Sequence, residues 1–105
     1  MYKQTTVTGA TAGAIVQLGF VPEKIVITER VSMNQTVWLA TNPADAILTT
    51  ASTGVRTAVG AAPVTLIDGS DKTNYTTSSF GFMIPATTLA NSLVAEIEAY
   101  RQDQV

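Results

Sequence analysis

Two glutamates, Glu96 and Glu98, stand two residues apart near the C-terminus, a spacing that puts both carboxylates on one face of a strand. Such a pair suits acid–base chemistry or the holding of a hard cation. It equally suits a solvated outer face, with Arg101 or Arg30 from a neighbouring strand as ionic partner, and exposed pairs of that kind are common and individually weak. A second cluster of oxygen ligands is Asp68-Gly69-Ser70-Asp71-Lys72-Thr73-Asn74. It misses the EF-hand loop, because its glycine comes at the second position and no glutamate follows at the required offset. Turn chemistry accounts for the same residues without a metal, so no metal site is expected.

Histidine and cysteine are both absent. Their absence removes the usual triads and dyads, thiolate nucleophiles, disulfides and cysteine-based zinc sites. A serine or threonine activated by a lysine remains, but Lys24 and Lys72 both stand beside turn signals, where lysine is ordinarily a solvated charge. The reading is therefore of a chain without catalytic residues or cofactors, and not of an enzyme. Asn34-Gln35-Thr36 and Asn74-Tyr75-Thr76 match the glycosylation acceptor pattern, a match that a threonine-rich chain produces by chance. Trp38, Phe20, Phe80, Phe82 and Tyr100 are the residues that would build a platform for a glycan or a peptide. A domain of this size ordinarily spends its few aromatics on its core. Trp38, between Val37 and Leu39, is core or interface.

The elements that must position these residues are short. The 105 residues suit one domain. Hydrophobic residues make up 46% and charged residues 13%, a balance too apolar for a disordered chain and one that leaves much of the surface neutral. The net charge is −2, and Lys3, Lys24, Arg30, Arg56, Lys72 and Arg101 are spread singly. No basic stripe exists to neutralise phosphates or an anionic membrane surface, so neither nucleic acid nor membrane is expected as a partner. No apolar run approaches the ~18 residues of a membrane span, and the N-terminal stretch lacks the form of a signal peptide.

Gly, Pro and short polar clusters divide the chain into runs rich in Val, Ile, Thr and aromatics. The runs are Ala14 to Leu18, Lys24 to Arg30, Gln35 to Ala40, Val55 to Val59, Pro63 to Ile67 and Ser79 to Ile84. In the second, Ile25 and Ile27 alternate with Lys24, Val26 and Thr28, a period of two. Ala46 to Thr50 fits a strand or a single helical turn. The last segment fits two periods. Leu89, Leu93, Ile97 and Tyr100 form a helical stripe, with a cap near Thr87 or Thr88. Leu93, Ala95, Ile97 and Ala99 also alternate with Val94, Glu96, Glu98 and Tyr100. The strand is preferred, because the rest of the chain has the rhythm of about seven or eight short strands. The expected fold is an all-β, small antiparallel β-sandwich or jelly-roll-like domain over residues 14–105, preceded by a flexible arm over residues 1–13 with Gly9 and Gly13 in it. The arm and the C-terminal residues from Arg101 to Val105 are expected to be flexible and to reach neighbouring subunits, or to add a strand to a partner's sheet edge.

Four stretches together form a layout: Gly19-Phe20-Val21-Pro22-Glu23-Lys24-Ile25-Val26-Ile27, the Trp38 strand, Gly54-Val55-Arg56-Thr57, and Gly81-Phe82-Met83-Ile84 followed by Ala99-Tyr100-Arg101. The layout resembles that of small virion proteins of tailed bacteriophages, head decoration or cement proteins that clamp neighbouring major-capsid subunits from outside. The resemblance extends over most of residues 14 to 101 and departs from the layout at Asn42 to Ser52 and at Asp68 to Ser78. It implies a β-sandwich subunit on the capsid exterior, made in the host cytoplasm, with the major capsid protein and a second or third copy of itself as partners. The candidate interface residues are Tyr2, Val7, Trp38, Tyr75 and Tyr100. The other function considered is a tail or fibre module that recognises host glycans.

Overall fold

Alternation settles the C-terminal segment. Across Val94–Tyr100 the side chains of Ala95, Ile97 and Ala99 are fully buried while those between them are half-buried, a period of two that a strand satisfies and a helix does not. The computed structural model describes residues 1–60, 62–68 and 80–102, and among them nine strands and no helix. They are β1 (Tyr2–Thr8), β2 (Ala14–Gln17), β3 (Lys24–Glu29), β4 (Gln35–Leu39), β5 (Ala46–Thr49), β6 (Arg56–Val59), β7 (Thr65–Ile67), β8 (Gly81–Ile84) and β9 (Val94–Tyr100). The Ala46 segment is thus a strand, paired with β4 from Gln35↔Thr49 to Trp38↔Ala46.

The strands make two antiparallel sheets, one of six in the order β1-β9-β3-β4-β5-β6 and one of three in the order β2-β8-β7. The core lies between them. Ile25, Ile27, Trp38, Ala46 and Ile97 come from the large sheet, and Val16, Phe82 and Ile84 from the small one. Loop residues Leu18, Phe20, Val64 and Leu89 complete the same cluster. Trp38 satisfies its one polar group by donating from Nε1 to the Pro43 carbonyl at 3.1 Å. Leaving that N–H buried and unpaired would cost about 1–3 kcal/mol.

Within the small sheet, β2 and β8 approach closely at Gly81. A Cβ there would collide with the backbone carbonyl oxygen of Val16 on the neighbouring strand, so only glycine lets β2 and β8 pair in this register, Gln17 opposite Gly81. The glycine between two phenylalanines is therefore a point of close backbone approach. The phenylalanines themselves separate: Phe82 is fully buried, and Phe80, just before the strand, is exposed.

The flexible arm expected over residues 1–13 is corrected by β1. Residues 2–8 pair with β9 along their whole length, from Tyr2↔Tyr100 to Thr8↔Val94. The Met1 amino group donates to the Arg101 carbonyl, and the Arg101 N–H donates back to Met1 at 2.8 Å. The segment Thr5-Thr6-Val7-Thr8 carries one apolar residue, so its alternation is faint in the sequence. Threonine nevertheless packs well on a pleated surface, and β9 offers a ready edge. Residues 2–8 are accordingly part of the folded sheet, with Val7 packed against the core.

Candidate contact surface on the six-stranded sheet

The register fixes what the outer face of the large sheet carries. Side chains opposite one another across antiparallel strands point the same way, so the face reads as rows. One row runs Tyr2, Tyr100, Lys24, Leu39. The next runs Gln4, Glu98, Val26, Val37, Ile47, Ala58, and a third runs Thr6, Glu96, Thr28, Gln35, Thr49, Arg56. The face is polar and aromatic over β1, β9 and β3, and apolar in its central row over β4, β5 and β6.

On the aromatic side the rings of Tyr2 and Tyr100 lie 4.9 Å apart, tilted by 40°. The Lys24 ammonium stands 5.7 Å from the centre of the Tyr100 ring, a cation–π arrangement. The Tyr100 hydroxyl donates to Glu98 Oε2 at 3.1 Å. That bond raises the Tyr100 pKa first of all, because ionising the phenol would forfeit it, and the Glu98 charge adds to the effect.

The two glutamates singled out by their spacing do share this face, and each is engaged. Arg30 donates from Nη2 at 2.6 Å and from Nε at 3.0 Å to one oxygen of Glu96, while Glu98 accepts from Tyr100. The Arg30–Glu96 pair is half-exposed and in such a setting contributes about 0–1 kcal/mol. A third carboxylate, Glu29, ends β3 and caps its turn. It accepts from the N–H groups of Val31 at 2.9 Å and Ser32 at 2.7 Å and from the Ser32 hydroxyl. These bonds, the Ser32 hydroxyl foremost, hold its pKa below the usual carboxylate range. Glu29 borders a cavity of about 240 Å³ between the β3–β4 turn and residues 86–93. An ionised carboxylate committed to three donors is a poor proton donor for chemistry there.

On the apolar side a shallow groove of about 150 Å³ lies over the far strands, lined by Val37, Leu39, Asn42, Asp45, Ile47 and Ala58. Leu39 and Ile47 are exposed. None of these residues was singled out by its chemistry. One signal was available: β4 has apolar residues on both faces, Trp38 inward and Val37 and Leu39 outward.

The candidate interface residues divide. Tyr2 and Tyr100 meet on the outer face. Trp38 is 1% exposed within the core, and Val7, half-buried, packs against it, so both belong to the inward set of their strands and not to the outer face. Tyr75 lies outside the described residues, as do the Asn74-Tyr75-Thr76 sequon and all of the Asp68–Asn74 cluster except Asp68. The other sequon asparagine, Asn34, is half-buried and accepts from the Ala51 N–H at 3.0 Å through Oδ1. No protein-family model matches the chain, and no curated protein or solved structure matches it.

Proposed function

We propose that the chain is a structural virion protein, a capsid decoration or cement subunit that binds and stabilises the major-capsid lattice through protein–protein contacts. The observation that supports this reading is the outer face of the six-stranded sheet. It is broad, largely neutral, and carries its few acidic groups already engaged: Glu96 with Arg30, Glu98 with Tyr100. A surface of that kind gains affinity from close packing over a wide area, with charge setting orientation. On this reading the protein works without cofactor or catalysis, on the capsid exterior, after synthesis in the host cytoplasm.

The test is the copy number of the chain in purified phage particles. A decoration subunit is found by quantitative mass spectrometry in numbers comparable to the major capsid protein, and stripping it lowers the temperature at which heads rupture. Absence from particles, or presence in only a few copies, overturns the reading. A second reading, a tail or fibre module for host glycans, is favoured by one feature, the pair of exposed Tyr2 and half-buried Tyr100 beside Lys24, since sugars stack on such platforms. Low copy number together with glycan-array binding that is lost in Tyr2→Ala would support it.

A further inference from the structure

We infer that a second copy of this chain docks along the edge of β6 that no described strand covers, antiparallel about a two-fold axis at Ala58, so that the two six-stranded sheets become one continuous sheet. This goes beyond the capsid reading and does not depend on it.

Among the described residues β6 is the last strand of its sheet, and Arg56, Thr57 and Ala58 are all exposed. The phase of its hydrogen bonds follows from one contact. The Thr50 N–H donates to the Val55 carbonyl at 2.9 Å, which continues the β5–β6 register by one step. In an antiparallel ladder, residues alternate between bonding the neighbour and facing away. Val55, Thr57 and Val59 therefore bond to β5, and Arg56, Ala58 and Gly60 turn their N–H and C=O groups outward.

Side-chain direction narrows the register. Arg56 and Ala58 lie on the outer face, in rows with Thr49 and Ile47. A two-fold axis normal to the sheet keeps outer side chains on the outer side of both copies, so the axis must pass through a residue. About Thr57, Arg56 would face Ala58 of the second copy, and Gly60 would face Gly54, whose φ of 71° takes it out of the strand. About Ala58, Ala58 faces itself and each Arg56 faces Gly60 of the second copy. Every outward-facing residue of the edge then has a partner.

Charge selects the same register. Asp45 leans over Gly60, its Oδ1 3.3 Å from where a Cβ on that glycine would sit. Arg56 has no ion pair or side-chain hydrogen bond among the described residues. In the Ala58 register each Arg56 reaches across a residue that has no side chain to Asp45 of the second copy, two strand spacings away at about 4.8 Å each. A charge on an edge strand ordinarily discourages pairing; here one register satisfies it and shifted registers leave it unpaired. The apolar row also continues, with Ile47 and Ala58 of one copy meeting Ala58 and Ile47 of the other, which extends the groove across the axis. The opposite edge, β1, is less open, because Lys3 donates from Nζ to the Gln17 carbonyl at 3.2 Å and ties it to β2.

Sedimentation velocity of the full chain over a concentration series tests this. A dimer is expected. Arg56→Asp and Asp45→Arg should each weaken it by roughly tenfold or more, and the double reversal should restore the affinity to within about threefold, with thermal melting confirming that each variant is folded. The chain has no cysteine, so a single introduced one reports geometry cleanly. Ala58→Cys should cross-link to a covalent dimer under mild oxidation, and Val59→Cys, which the register sets opposite Thr57, should not. A chain that stays monomeric, a trimer, charge reversals that leave the mass unchanged, or cross-linking at 59 in place of 58 would each overturn the proposal. A monomer abundant in phage heads would overturn the edge pairing alone; a dimer missing from phage particles would overturn the capsid reading alone.

Discussion

Gly81 and Glu29 show how single residues hold this fold in place. At Gly81 the constraint is space: an added methyl group meets the Val16 carbonyl oxygen and the adjoining backbone of β2, which cannot swing aside as a side chain could. Gly81→Ala is therefore expected to destabilise the protein by about 1–3 kcal/mol or more. Gly19→Ala makes the control, since nothing lies near its missing Cβ and only its φ of 83° is strained, at about 1–2 kcal/mol. Urea denaturation of the two variants should rank them in that order. At Glu29 the constraint is electrostatic. Its pKa is lowered in the folded state by the bonds from Ser32 and Val31. A depressed carboxylate contributes stability that is present above its unfolded value and lost as pH falls through its folded one. Glu29→Gln should therefore cost most near neutral pH, and the gap in Tm from the parent chain should close as the solution is taken below the ordinary glutamate range.

Among the elements, β1 and β9 carry the largest lesson. β9 lies between β1 and β3, bonded on both sides; its inward residues Ala95, Ile97 and Ala99 are wholly buried. Small residues there let the facing sheet come close, and Ile97 stands opposite Ile27 on one side and Thr5 on the other. Removing residues 1–9 would strip β1 from this arrangement, uncover the outer edge of β9 and withdraw Val7 from the core. Such a truncation should unfold at lower urea concentration than the full chain and should associate more, because a long unpaired strand edge recruits other chains. Light scattering and denaturation of the truncated protein check this together. A detachable arm would have given the opposite pattern, with unchanged stability and lost association.

For the whole molecule the decisive feature is that β1 and β9, far apart in sequence, pair along one side of the large sheet. Met1 and Arg101 exchange hydrogen bonds, and Tyr2 stands opposite Tyr100. Contacts of that sequence separation are formed only after the entropy of ordering the intervening chain has been paid. Refolding is expected on the millisecond-to-second scale of β-sandwiches. The single tryptophan, Trp38, sits in the core, so stopped-flow fluorescence follows the event directly; relaxation in microseconds would contradict the topology. Among the described residues β6 is the edge of the large sheet opposite β1, which makes that strand the natural place for growth by a second copy.

The amino-acid sequence by itself determined the strand-forming runs, the inward sets Ile25 and Ile27, and the want of histidine and cysteine chemistry. Each of those is a local property: alternation and residue type act within a few neighbours. It also held the Arg30–Glu96 partnership as one of two options. Tertiary structure decided the rest. It chose Arg30 over Arg101 for Glu96, took Trp38 into the core and packed Val7 against it, brought Tyr2 against Tyr100, and turned the threonine-rich start into β1. These depend on which strand lies beside which and on register, and a shift of one residue exchanges the two faces of a strand. The outer groove of Val37, Ile47 and Ala58 belongs to the same class, since its residues come from three strands and meet only once β4, β5 and β6 are paired.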